Sequence, residues 1–210
     1  MTRIEAVISD FGGVLTTPLV DSFAAVRESS GVPLEALGKA MAAIMDRDGS
    51  HPLFELETGR LSETRFLDEL SNELTGQLGR EVSMHDFGHR FFENLHPNEP
   101  MLDFMRGLRD QGYKLGICTN NVREWEPLWR AKVPVDEIFS VVVDSAFVGS
   151  RKPEPRIYEI TLERLGVTAE AALLIDDIEI NCTAARDLGM HAVWFRDTDQ
   201  AIAETEEQLR

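Results

Sequence analysis

The chain has 210 residues, enough for one globular domain or for a core domain carrying a smaller insertion. Hydrophobic residues make up 43% and charged residues 28%, the balance of a folded protein with an apolar core rather than of a disordered chain. A formal net charge of -16, with no local Lys/Arg cluster to offset it, argues against nucleic acid and anionic membrane surfaces as partners.

Residues 4–9 form the first short apolar run, which reads as a buried strand ending at Asp10 and the glycine pair Gly12–Gly13. Helical patterns then follow one another at 22–29, 34–47, 63–74 and 84–94, with no strand between them. Pro18 and the stretch 96–100, which holds two prolines, bracket this helical insertion. Beyond it, apolar runs at 114–118, 141–143, 172–175 and 191–195 alternate with helical stripes such as Leu102, Met105 and Leu108, or Ile157, Ile160 and Leu165. Runs with so little polar alternation suit a parallel sheet covered on both faces, and their order is βαβ. Gly112, Gly166 and Gly189 punctuate the same division between helix and strand.

Cys118 and Cys182 are too few for a disulfide framework, and the opening MTRIEAVISDFGG has no signal-peptide apolar stretch. No run approaches the roughly 18 apolar residues of a membrane span. A cytoplasmic chain with reduced thiols is the expectation.

Ligands of open parallel sheets bind at the carboxyl ends of strands, and the unusual polar residues of this chain fall there. AVISDFGGVLT ends a strand in Asp10. KLGICTNN runs into Thr119 and Asn120, whose hydroxyl and amide can hydrogen-bond a phosphoryl oxygen. GSRKPEPRIY places Lys152 ahead of a helix, where a fixed cation can hold an anion against a like-charged Asp. ALLIDDIEIN sets Asp176 and Asp177 at the end of an apolar strand, and two such acids repel unless a cation lies between them. A hard divalent ion such as Mg²⁺ suits oxygen ligands of this kind.

Together and in this order, the four segments resemble the signature motifs of the haloacid dehalogenase superfamily, over residues 1–16 and about 98–200. The branch most similar contains the phosphatase domain of soluble epoxide hydrolase and sugar-phosphate phosphatases with a DxG first motif. The resemblance implies an α/β fold: a Rossmann-like parallel sheet core, residues 1–16 and 98–210, with a small helical cap inserted at 17–97. It further implies a Mg²⁺-dependent hydrolase of a small phosphate ester, with Asp10 as the nucleophile that forms an aspartyl-phosphate. Asp10, the Gly12 carbonyl, Asp176 and Asp177 would hold the metal, while Thr119, Asn120 and Lys152 would bind the phosphoryl oxygens. Asn181 would play a supporting part.

The departure is Gly12, where the usual DxD pattern has a second Asp to protonate the leaving group. Good leaving groups, such as sugar 1-phosphates or aryl phosphates, are therefore expected over simple alkyl phosphates. Dehalogenases of the superfamily also lack that Asp but need no metal, and the Asp176–Asp177 pair speaks against them. A phosphate-binding or regulatory protein of low turnover is the remaining alternative.

Two weaker expectations concern the insertion. His85 and His89 are spaced as neighbours on a helix face, and His51, Phe54 and Glu55, with Trp125 from the core, are candidates to line a substrate cleft.

Overall fold

A computed structural model describes residues 3–210. Strands β1 (Ala6–Ser9), β2 (Lys114–Thr119), β3 (Val141–Asp144), β4 (Ala172–Asp176) and β5 (His191–Trp194) form one sheet in the order β3-β2-β1-β4-β5. Every pairing is parallel, with Ser9 beside both Ile117 and Ile175 and Thr119 beside Asp144. Because β2 and β3 lie on one side of β1 while β4 and β5 lie on the other, the winding reverses at the edge between β1 and β4. Asp10 and Asp176 stand at the carboxyl ends of those two strands, beside the crevice that such a reversal opens.

The period of two along the strands divides the core in two. Val7, Ile117, Leu173 and Ile175 face one layer of helices, while Ala6, Ile8, Cys118 and Leu174 face the other. Each expected strand is present. The ends of β2, β3 and β4 reach one residue further than the apolar runs suggest, because the polar residues that close them still pair with their neighbours.

Helices α1 (Leu19–Ser30), α2 (Leu34–Asp48), α3 (Pro52–Glu57), α4 (Glu63–Leu78) and α5 (Phe87–Glu93) all come between β1 and α6 (Glu99–Asp110). The short α3 was not anticipated, since six residues carry too little periodicity to declare a helix. α5 begins three residues later than expected: the Met84 N–H donates to Ser71 Oγ at 3.0 Å, and the buried Met84 side chain packs from a loop. The chain leaves and re-enters the sheet layer side by side. Thr16 bridges Pro97, Thr17 N–H donates to the His96 carbonyl at 2.8 Å, and Asn98 N–H donates to that of Leu15 at 2.9 Å.

After α6 come α7 (Glu126–Arg130), α8 (Val135–Ile138) and α9 (Ser145–Val148), then α10 (Pro155–Leu165), α11 (Glu179–Asp187) and α12 (Thr198–Gln208). The expected stripe of α6 is fully interior: Leu102 and Met105 are inaccessible and Leu108 nearly so. Residues of α2, α4 and α5 belong to the same apolar cluster, so the inserted helices and one sheet face share a continuous core. Among the described residues no helix is long and apolar enough to cross a membrane.

Candidate active site

Asp10 directly follows β1, and its N–H continues the ladder by donating to the Ile175 carbonyl at 2.8 Å. The side chain is buried. Its Oδ1 accepts from the Phe11 N–H at 2.7 Å and lies 2.9 Å from Lys152 Nζ. The same ammonium is 2.6 Å from Asp176 Oδ2, so Lys152, only 1% exposed, ties the ends of β1 and β4 together. Asp176 is fully satisfied at its other oxygen, which accepts from the Ile178 N–H and from Asn181 Nδ2, each at 2.9 Å.

Asp177 is half-buried, with its carboxylate close against the backbone of Gly13. That glycine has φ +80, and a Cβ there would overlap the Asp177 carboxylate, so both conformation and space require Gly. Carboxylate oxygens of Asp10, Asp176 and Asp177 all lie within 4.8 Å of one another.

The electrostatics follow from this crowding. Burial is the largest influence on Asp10 and, with Asp176 and Asp177 pushing the same way, outweighs Lys152 and lifts its carboxyl to about 7. Asp177 is lifted to about 6, first by burial and then by Asp176. For Lys152 burial works to lower the ammonium, but Asp10 and Asp176 overcome it and hold it well above the ordinary lysine range. The cluster thus carries more negative charge than Lys152 offsets. Three hard oxygen donors in that state suit a divalent cation.

Thr119, buried at the end of β2, lines the same cavity as Asp10, Lys152 and Asp177. Asn120 lines it too, but its side-chain amide is committed: Nδ2 donates to the Lys152 carbonyl at 2.9 Å and Oδ1 accepts from the Lys152 N–H at 2.7 Å. This amide positions the lysine and is not turned toward a ligand. The Gly12 backbone borders the cavity as well. All seven residues singled out from the motifs are thereby gathered at one end of the sheet.

The expectations for the insertion need correction. His51, Phe54 and Glu55 do not line the cavity; Leu53, Leu56 and Glu57 do. On α3 those three share one face at spacings of three and four, and Phe54 and Glu55 take the opposite face. There His51 stacks on Phe54 at 4.6 Å, the Arg151 guanidinium covers Phe54 at 4.0 Å, and Glu55 pairs with Arg60 at 2.8 Å. His85 precedes α5 and lies 3.2 Å from Asp68, so it shares no helix face with His89. Trp125 does reach the cavity. Cys118 is buried and pushed up to about 11 by that burial, the state of an inert core thiol.

Sequence reasoning missed Arg151 and Glu57, which lie 2.6 Å apart and join the insertion to the loop carrying Lys152. It also missed Leu19, whose side chain stands over Gly12. Adjacency to Lys152 was the one available signal for Arg151; for the other two there was none.

The family model of haloacid dehalogenase-like hydrolases matches residues 4–189, and the chain belongs to that family. Over 194 residues it is 31% identical to the Phosphatase MT3486 of Mycobacterium tuberculosis, covering 90% of this chain and 86% of that protein. A glyceraldehyde 3-phosphate phosphatase of Pyrococcus abyssi is 38% identical over 92 residues, or 42% of this chain and 38% of that relative's length. Among solved structures, a HAD family enzyme of Bacteroides thetaiotaomicron superposes with a TM-score of 0.72 at 22% identity, covering 92% of this chain and 94% of that one. That enzyme has also been solved in complex with magnesium and inorganic phosphate.

Proposed function

We propose that the chain is a Mg²⁺-dependent phosphomonoester hydrolase acting on a small phosphorylated metabolite, with Asp10 as nucleophile. The observation that carries this reading is the buried Asp10 carboxylate, bound on Oδ1 by Phe11 and Lys152 and set at the floor of a cavity beside Asp176 and Asp177. The phosphatase relatives support it.

Oδ2 of Asp10 is the oxygen left to attack phosphorus in line, forming an aspartyl-phosphate as the ester P–O bond breaks. Lys152 and the Thr119 hydroxyl bind the equatorial oxygens of the transferring group, and Asn120 holds Lys152 in place for this. Water then attacks the acyl-phosphate, releasing inorganic phosphate and returning the Asp10 carboxylate. Asp10, the Gly12 carbonyl and Asp177, with Asp176 behind them, would hold Mg²⁺, which would supply the positive charge that lets an anionic nucleophile meet an anionic substrate.

With Gly12 in place of an acid, the leaving oxygen departs without a proton from that position, which favours aryl and other stabilised leaving groups. Residues 17–97 act as a cap that excludes water over a core made of 1–16 and 98–210. The paired crossing at Thr16 and Pro97 is its hinge. The free, buried Cys118 and Cys182 are in keeping with a cytoplasmic setting.

Phosphate release from 4-nitrophenyl phosphate, measured with and without Mg²⁺ for the wild type and for Asp10→Asn, tests the reading. Turnover is expected only for the wild type with Mg²⁺. Equal turnover by Asp10→Asn would remove Asp10 from the mechanism.

A further inference from the structure

We infer that the organic group of the substrate is compact and apolar, a hydrocarbon group of about six to ten carbons, such as an aryl ring, rather than a polyol. This deepens the phosphatase reading and rests on it. The cavity above Asp10 measures about 270 Å³, just below the usual range for small-molecule sites. Its walls away from the polar end are mostly hydrocarbon and aromatic: Leu56 from α3, Phe66 and Leu70 from α4, Phe87 and Phe91 from α5, and Trp125 from the core. Trp125 lies nearly parallel to Phe87 and Phe91, with ring centroids 5.9 Å apart in both cases, which makes that side a stiff flat face.

Most of the polar groups that reach the cavity, Arg151 among them, are engaged at least in part or lie at its reactive end. The Trp125 indole N–H donates to Glu63 at 2.5 Å, Glu57 is held by Arg151, and the Asn120 amide is bound to Lys152. Asn121 Oδ1 accepts from the Val122 N–H, and Asn181 donates to Asp176. Asp10, Thr119, Lys152 and Asp177 are the groups the reaction itself uses. A sugar entering this space would give up water at each hydroxyl and find few partners on the apolar walls, whereas each buried methylene is favoured.

The test uses the full chain with Mg²⁺ and a series of primary-alcohol monophosphates, so that the leaving group stays nearly constant: ethyl, butyl and hexyl phosphate, beside glucose 6-phosphate. kcat/KM is expected to rise about three- to fourfold per added methylene, the factor that burying one CH₂ supplies. Glucose 6-phosphate should fall at or below ethyl phosphate. A flat series, or glucose 6-phosphate ahead of hexyl phosphate, overturns the inference. Leu53→Gln, at the half-buried rim of the cavity, should lower the hexyl-to-ethyl ratio several-fold, and an unchanged ratio would place the apolar group elsewhere and also overturn it.

If even 4-nitrophenyl phosphate is not cleaved, the phosphatase reading falls and calorimetric titration with ethyl-, butyl- and hexylphosphonate decides the cavity separately. Affinity that tightens along the series supports an apolar ligand; equal Kd values refute one.

Discussion

Restoring a carboxylate at position 12 tests whether the missing proton donor limits turnover. A Cβ on Gly12 would lie 2.9 Å from Leu19 Cδ2, 3.0 Å from Cδ1 and 3.3 Å from Cγ, so Leu19 fills the space where an acid side chain would stand. Position 12 is not one of the positive-φ glycines, and its backbone accepts Asp; the obstacle is the leucine. Gly12→Asp alone therefore requires the half-buried Leu19 side chain to swing aside, at about 1 kcal/mol, the low end for overpacking, and displaces the carboxylate. Leu19→Ala removes the obstacle, at about 1–2 kcal/mol for a half-buried side chain, below the range for a fully buried one.

A positioned general acid contributes roughly 10²–10⁴ in rate. The lower end applies here, because an introduced acid lacks the surrounding contacts that would hold it in the productive geometry. The double variant Gly12→Asp/Leu19→Ala is expected to cleave ethyl phosphate about 10²-fold faster than the wild type, equivalent to ~2.7 kcal/mol of barrier. 4-Nitrophenyl phosphate, whose leaving group needs no proton, should change little. The assay is kcat for both esters across wild type, each single variant and the double, with melting curves to confirm folding; the two single variants complete a double-mutant cycle. A folded double variant whose ratio of ethyl to nitrophenyl turnover equals that of the wild type would refute the idea that the acid is what position 12 lacks.

Lys152→Met leaves the carboxylates of Asp10 and Asp176 buried without the ammonium at 2.9 and 2.6 Å, an effect of about 3–5 kcal/mol. At roughly 2–4 °C per kcal/mol, its Tm should fall by about 6–20 °C, and a melt within experimental error of the wild type would contradict the pairing. Asp144 is 5% exposed, and burial pushes its carboxyl up to about 6 from 3.8, against the Ala146 N–H that it accepts at 2.9 Å. Its folded state thus holds more proton than its unfolded state between those values, so its stabilising contribution is full below pH 3.8 and is lost as pH rises through 6. Asp144→Asn should flatten that part of the stability profile and raise stability at pH 8 by up to about 3 kcal/mol, read from melts at pH 4 and pH 8. Gly13→Ala drives a methyl group into the Asp177 carboxylate at φ +80, and should lower turnover at least about tenfold while raising the Mg²⁺ concentration needed for half-activity.

The sheet and the polar cluster at the carboxyl ends of its strands were legible because both depend on short-range signals. A parallel strand covered on both faces must be apolar along its whole length, so AVIS and ALLID stand out, and chemistry placed at strand ends appears as Asp10 or Asp176 breaking an apolar run. The glycine pair after Asp10 likewise announced a sharp turn, which Gly13 makes against Asp177. What the sequence left open is everything that side chains far apart in the chain decide by meeting. Leu19 over Gly12, Glu57 against Arg151, and the aromatic wall of Phe87, Phe91 and Trp125 have no local pattern of their own. α3 is too short for its sequence to show which face points inward: His51, Phe54 and Glu55 are the polar and aromatic candidates for the cleft, yet packing turns Leu53, Leu56 and Glu57 toward it. Backbone periodicity records which residues are buried; only the tertiary packing decides what they are buried against, and here that packing sets the apolar character of the cavity.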